Sequence, residues 1–178
     1  SNMSKASKKI KKIYSQSIQG LAKGDLSALK KNRKAVSKYS EEVDDLRNDL
    51  FYFIKNLDEE TIKGASNFYI NVLAYMQDIA ESLQYISKIT YKHINNNHTH
   101  LTFNQIRELQ EIDSELNNLY NEIQFIFSNE NLKELNKVID KKQELYSSLK
   151  EKIDIQIART KKDESSPKNT TLYFSILI

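Results

Sequence analysis

Residues 29–57 read LKKNRKAVSKYSEEVDDLRNDLFYFIKNL, and their apolar positions repeat every seven residues. The first row of this repeat consists of Leu29, Val36, Val43, Leu50 and Leu57. A second row, three residues after members of the first, consists of Tyr39, Leu46 and Phe53. Two such rows, kept over about four heptads, are typical of the buried seam of a helix that packs against other helices. A β-strand would instead alternate with a period of two, so the stretch predicts a long helix.

Similar apolar rows on both sides of this stretch predict further helices. A first helix is expected from about Ser7 to Lys23, with Gly24 as its stop. A third, opened by the acidic residues 58–60, is expected to end before a connection at 91–100. The eight core positions that we predict are Val43, Leu46, Leu50, Val72, Met76, Ile79, Leu116 and Ile123.

The second half of the chain carries clear local signals for helix boundaries. Thr102 and Gln105 have the spacing of a capping box, so a fourth helix should begin there. A fifth helix follows a turn at 128–131, and the polar segment 161–169 is predicted to be a linker. A sixth helix is expected to begin near Thr170.

Composition narrows the class of protein. The chain has 178 residues with three glycines and one proline, too few breakers for the many turns of a β-sandwich. It has no cysteine, which excludes disulfides and thiolate metal sites. A formal net charge of +3 argues against a dedicated nucleic-acid surface. No run of about 20 apolar residues occurs, so we expect no membrane-spanning helix and a soluble all-α bundle.

The order of predicted helices occurs twice. Residues 25–29 align in pattern with 131–135, and FYINVL at 68–73 aligns with LYFSIL at 172–177. We therefore predict two three-helix units, 4–100 and 101–178, the second truncated in its last helix. Residues 1–3 are interpreted as the remnant of a tag.

Six short segments carry a resemblance to a known family. They are IYSQS (13–17), GDL (24–26), FYI (68–70), MQDIAESL (76–83), HINNNH (93–98) and LY (172–173). In this order the chain resembles, from about Lys8 onward, the PhoU-like region that follows the membrane part of bacterial sodium/phosphate cotransporters. The resemblance implies tandem three-helix bundles and a non-catalytic regulatory domain at the cytoplasmic face of the membrane, which contributes to the control of phosphate uptake. It also implies a transmembrane transporter domain upstream in the same chain.

Neither the motifs nor the residue types predict an enzyme. The glycines are isolated, so there is no phosphate-binding loop, and no serine, histidine and acid form a triad context. The alternative to a transporter domain is a free-standing helical scaffold or coiled-coil module without a link to transport.

Metal binding is a second question that the resemblance raises. PhoU-like proteins hold metal clusters through acid pairs four residues apart, a spacing that stacks two carboxylates on one helix face. Glu41 and Asp45 keep this spacing, and Asp78 matches a family aspartate, but Ala74 and Ser148 replace two further acids. We therefore expect no resident cofactor and at most one weakly bound divalent cation at Glu41, Asp45 and Asp78. His93, His98 and His100 are expected to lie in a polar surface loop.

Two kinds of partner are expected besides the transporter domain. Lys8, Lys9, Lys11 and Lys12 form a basic cluster that would contact an anionic membrane surface, since the implied membrane domain ends just before it. The missing part of the last helix should leave an apolar patch open, which predicts a homo-oligomer. We expect no nucleic-acid partner.

Overall fold

Six helices make up the computed structural model, which describes residues 2–55, 59–129 and 135–177. Their bounds are α1 Asn2–Lys23, α2 Leu26–Lys55, α3 Glu59–Asn95, α4 Phe103–Asn129, α5 Leu135–Lys161 and α6 Pro167–Leu177. No strand occurs in these three ranges, so the prediction of an all-α bundle is confirmed. Among the described helices, none combines the length and the apolar character that crossing a bilayer requires.

Three helices end in the same backbone motif, in which one residue with positive φ turns the chain. These residues are Gly24, Asn97 and Asp163, with φ of 61°, 54° and 55°. After α3, for example, the His98 amide donates to the His93 carbonyl at 3.2 Å, the bond that defines a Schellman cap. The prediction of a connection at 91–100 therefore placed the end of α3 too early. The chain stays helical to Asn95, because asparagine tolerates the left-handed conformation two residues later.

The starts of α4 and α6 show side-chain caps. The Thr102 amide donates to Gln105 Oε1 at 3.0 Å, and the Gln105 amide donates to Thr102 Oγ1 at 3.2 Å, which confirms the capping box. The α6 helix begins at Pro167 and not near Thr170, because proline suits the first helical position and the Ser166 hydroxyl accepts from the Asn169 amide at 3.1 Å. The connection is thus 162–166, shorter than the predicted linker 161–169.

The α1 helix lies at the centre of the bundle. It packs against α2, α3 and α4, while α4 also packs against α5, and α6 packs against α3 and α5. It begins at Asn2, earlier than the predicted Ser7, and so includes two of the residues interpreted as a tag remnant. The largest side chains that are fully buried include Ile18, Leu29, Leu109, Ile112 and Tyr173.

The predicted core positions fall into three groups. Val43 and Met76 are buried, which confirms them. Leu46, Ile79 and Leu116 are only partly buried and pack against the edge of the core. Burial decreases along these helices, since Tyr39, Ile86 and Ile112, one or two turns away in the same rows, are buried. The side chains of Leu50, Val72 and Ile123 lie outside the described residues.

Candidate functional site

Charge is distributed very unevenly along the chain. The first 40 residues contain eleven basic residues and one acidic residue, whereas the remainder contains 16 basic and 23 acidic residues. The excess of positive charge thus belongs to α1 and the first half of α2. The small net charge of the whole chain conceals it. This asymmetry can be read from the sequence, although the net charge of +3 does not show it. It is typical of a surface that contacts an anionic partner.

The positive charge is concentrated along a groove between α1 and α2, which we call the α1–α2 groove. Its volume is about 580 Å³, and its lining residues all belong to these two helices and the turn between them. Five lysines line it: Lys9, Lys12, Lys23, Lys31 and Lys38. Its apolar lining includes Ile13, Gly20, Ala28 and Ala35. The groove is therefore a trough with a partly apolar floor and with ammonium groups along its length.

A glycine and a buried polar pair allow α1 and α2 to pack closely beneath this groove. At Gly20 an added Cβ would lie 2.7 Å from Leu29 Cδ2, so only glycine allows this approach without a shift of the buried leucine. One turn further along, the buried Asn32 side chain donates to Ser17 Oγ at 2.6 Å and to the Ile13 carbonyl at 3.3 Å. A buried polar pair of this kind fixes the register of two helices, since any slip would leave it unsatisfied.

Among the residues that the structure describes, two carboxylates line the groove, and both are already engaged. Asp25 caps α2 by accepting from the Ala28 amide at 3.0 Å. Glu42 forms an ion pair with Lys9 at the opposite end of the hairpin. Among the described residues, no carboxylate lies within ion-pair distance of the four other groove lysines, which are Lys12, Lys23, Lys31 and Lys38. Their mutual repulsion would be relieved by an anionic ligand.

The basic cluster predicted at the start of α1 is divided by the helix into different faces. Lys9 and Lys12 line the α1–α2 groove. Lys11 points to the other side, where its Nζ donates to Asn121 Oδ1 of α4 at 2.9 Å. Lys8 is exposed and does not line the groove. At about 100° per residue, these four positions spread over about 160° of the helix circumference. Lys9 and Lys12 lie on the edge of this arc that faces α2, and Lys11 lies on the edge that faces α4.

The predicted metal ligands are all exposed and are not gathered. Asp45 lines a depression beside Lys5 and Lys9, whereas Asp78 lines a separate one beside Tyr14. Glu41 lines neither of these depressions. Within 2–55, 59–129 and 135–177, no three His, Cys, Asp or Glu side chains form a group that could hold a metal ion. A single weakly bound cation at one of these acids stays a prediction.

The histidines do not all lie in a surface loop, which corrects that prediction for His93. His93 is buried in the last turn of α3, and its Nε2 lies 2.8 Å from the Thr99 carbonyl oxygen. Burial lowers the pKa of His93, because a charged imidazole would lose its hydration there. His98 lies against it, with the ring centres 5.3 Å apart. His93 thus ties the connection before α4 to the end of α3.

A second polar cluster joins α4, α5 and α6, and sequence reasoning missed it. Glu108 is buried and forms a two-pronged ion pair with Arg159. The hydroxyl of the fully buried Tyr173 donates to the same carboxylate at 2.7 Å. Burial raises the pKa of the Tyr173 phenol, and the hydrogen bonds that Arg159 donates to Glu108 raise the pKa of Arg159. The polar groups of this cluster satisfy one another, so the cluster stabilises the packing of α6 on α4 and α5.

Comparison of the chain with protein-family models, with curated proteins and with solved structures finds no significant match.

Proposed function

We propose that this chain is a non-catalytic interaction domain whose contact surface is the α1–α2 groove. The observation that carries the proposal is the set of four groove lysines that have no carboxylate within ion-pair distance in the described part of the chain. They lie along a groove on the outside of the bundle. Exposed like charges at this density favour binding of an anionic partner, both through attraction and through faster encounter. No reaction is required for such a role.

We further propose that the domain is the PhoU-like regulatory part of a bacterial sodium/phosphate cotransporter, at the cytoplasmic face of the membrane. The order of helix contacts supports two three-helix units related by a two-fold arrangement. The α1 helix packs on α2 as α4 packs on α5, and α2 packs on α3 as α5 packs on α6. Two further contacts, α1 with α4 and α3 with α6, join equivalent helices of the two units. The contact of α1 with α3 departs from this arrangement, because the described parts of α4 and α6 show no contact of similar extent. Regulation would then act through partner contact and helix packing.

The sequence encoded upstream of Met3 in the gene tests the transporter proposal directly. We expect several apolar segments there, each of about 20 residues, because a membrane domain of helices needs that length to span the bilayer. Sequencing of the gene is the measurement. A gene product without such segments would contradict the proposal and would favour the alternative, a free-standing helical scaffold.

We also propose that the start of α1 lies against anionic lipid. We expect the protein to bind vesicles that contain phosphatidylglycerol and not vesicles of phosphatidylcholine alone. Each lysine near an anionic surface contributes about 1 kcal/mol. Changing both Lys8 and Lys11, which lie outside the groove, to Glu should therefore weaken vesicle binding by at least about tenfold. Cosedimentation with vesicles measures this.

A matched control for the vesicle experiment changes Lys161 and Lys162 to Glu. Both residues are exposed at the end of α5, in the other half of the chain. Their replacement changes the net charge by the same amount as the replacement of Lys8 and Lys11. This variant should keep its vesicle binding. Equal losses for the two variants, or equal binding to neutral vesicles, would contradict a specific contact at α1.

A further inference from the structure

The lysines of the α1–α2 groove are spread along its length and do not converge on one point. Lys9 and Lys23 are fourteen residues apart on α1 and both line the groove. At 1.5 Å per helical residue they are separated by about 21 Å along the axis. Lys31 and Lys38 stand on α2, the opposite side of the same groove. A compact anion such as a single phosphate could reach only one or two of these ammonium groups, whereas an elongated ligand could meet all of them.

The lining between the lysines also has a shape that suits a helix. Gly20, Ala28 and Ala35 are small, and Ile13 contributes an apolar side chain. Small residues along a seam between two helices let a third backbone approach closely, and side chains of that third helix can fill the space. A flat bilayer surface would touch the ends of the lysines but would leave this trough unfilled.

We propose that the α1–α2 groove binds an acidic amphipathic helix of a partner protein, about four turns long. Its apolar side chains pack on the trough, and its carboxylates pair with Lys12, Lys23, Lys31 and Lys38. Helix-in-groove binding uses apolar anchors spaced three or four residues apart on one face of the helix. Over about four turns this spacing gives positions i, i+4, i+7 and i+11. The inference rests on the proposed role of the groove as a contact surface and names the chemistry of its partner.

A synthetic peptide tests the proposal. The probe is a labelled 15-residue helix with leucines at the four anchor positions and glutamates beside them, and fluorescence anisotropy measures its binding to the full chain. We expect saturable binding that weakens by about tenfold or more between 50 and 300 mM salt, as for other charge-complementary contacts. A peptide with lysines in place of the glutamates should not bind.

Two protein variants with equal charge make the test specific for the groove. Changing Lys31 and Lys38 to Glu should weaken binding of the acidic peptide by at least about tenfold. Changing Lys30 and Lys34 to Glu alters exposed residues of the same helix that do not line the groove, and this variant should bind as the unchanged protein does. Circular dichroism confirms that both variants keep their helices.

Four outcomes would overturn the inference. Equal weakening by the two variants would mean that any positive surface suffices. Equal binding of a glutamate peptide with alanines at the anchor positions, or of inorganic polyphosphate, would mean that the groove takes any polyanion. Release of the peptide when the protein self-associates at high concentration would make a second copy the occupant. If the peptide does not bind while binding to anionic vesicles is intact, the groove does not take an acidic helix. The proposed membrane contact of α1 would be unaffected by that result.

Discussion

Replacement of Glu108 by Ala is expected to lower the free energy of unfolding by about 3–5 kcal/mol. The carboxylate is buried, and it accepts hydrogen bonds from both terminal nitrogens of Arg159 and from the Tyr173 hydroxyl. Removing it would leave a guanidinium that is only 13% exposed without its counter-charge. It would also leave a buried phenol without an acceptor. Urea unfolding followed by circular dichroism measures the change.

Two further variants separate the ion pair from the general effect of a substitution. Tyr173→Phe removes only the hydroxyl and should cost about 1.5–3 kcal/mol, the range for a hydrogen bond to a charged group. Glu151→Ala removes an exposed carboxylate of α5 and should change stability by no more than about 0.5 kcal/mol. A loss under about 1 kcal/mol for Glu108→Ala would show that Arg159 finds solvent or another acceptor, and that α6 is held by apolar packing alone.

This cluster also marks a limit of what the sequence could predict. The partners of Glu108 lie 51 and 65 residues away in the chain. No periodic pattern joins them, and Tyr173 fits equally well into an apolar row. The capping box at Thr102 and Gln105 was predictable, in contrast, because its two members are three residues apart and the bond depends only on local backbone geometry.

Helix positions were predictable for a similar reason, and their ends were less so. Heptad rows identify a helix because burial repeats with the turn of the helix itself. The end of α3 depends on where the chain can adopt a positive φ, and Asn97 offers that conformation as Gly24 does. A run of three asparagines, 95–97, looks like a connection from composition, although the first of them is still helical.

The α1–α2 groove could be foreseen only in part. The count of charged residues in the first 40 positions indicates a basic surface, but the count alone does not say which lysines share a face. That depends on the pairing of α1 with α2 in an antiparallel hairpin, which brings Lys12 and Lys38 to the same groove. The proposed metal ligands illustrate the converse. Glu41 and Asp45 keep the family spacing on one helix, but the contribution from Asp78 depends on how α3 lies beside α2.

Replacement of Ile18 by Ala is expected to cost about 2–5 kcal/mol of stability, because the change removes three carbons and leaves a cavity. Ile18 is completely buried in α1, the helix that contacts α2, α3 and α4. The surrounding side chains come from a packed core, so they cannot fully collapse onto the vacated space. Alanine is the better helix former, so a loss of stability cannot arise from helix propensity. Thermal or urea unfolding measures it.

The same substitution at two other isoleucines provides a graded control. Ile79 of α3 lies at the edge of the core, so Ile79→Ala should cost less than Ile18→Ala. Ile155 of α5 is 37% exposed, and Ile155→Ala should cost about 1 kcal/mol or less. The expected order follows burial, since all three changes remove the same atoms. A larger loss at Ile79 than at Ile18 would contradict it, and would place the centre of the bundle at α3 and not at α1.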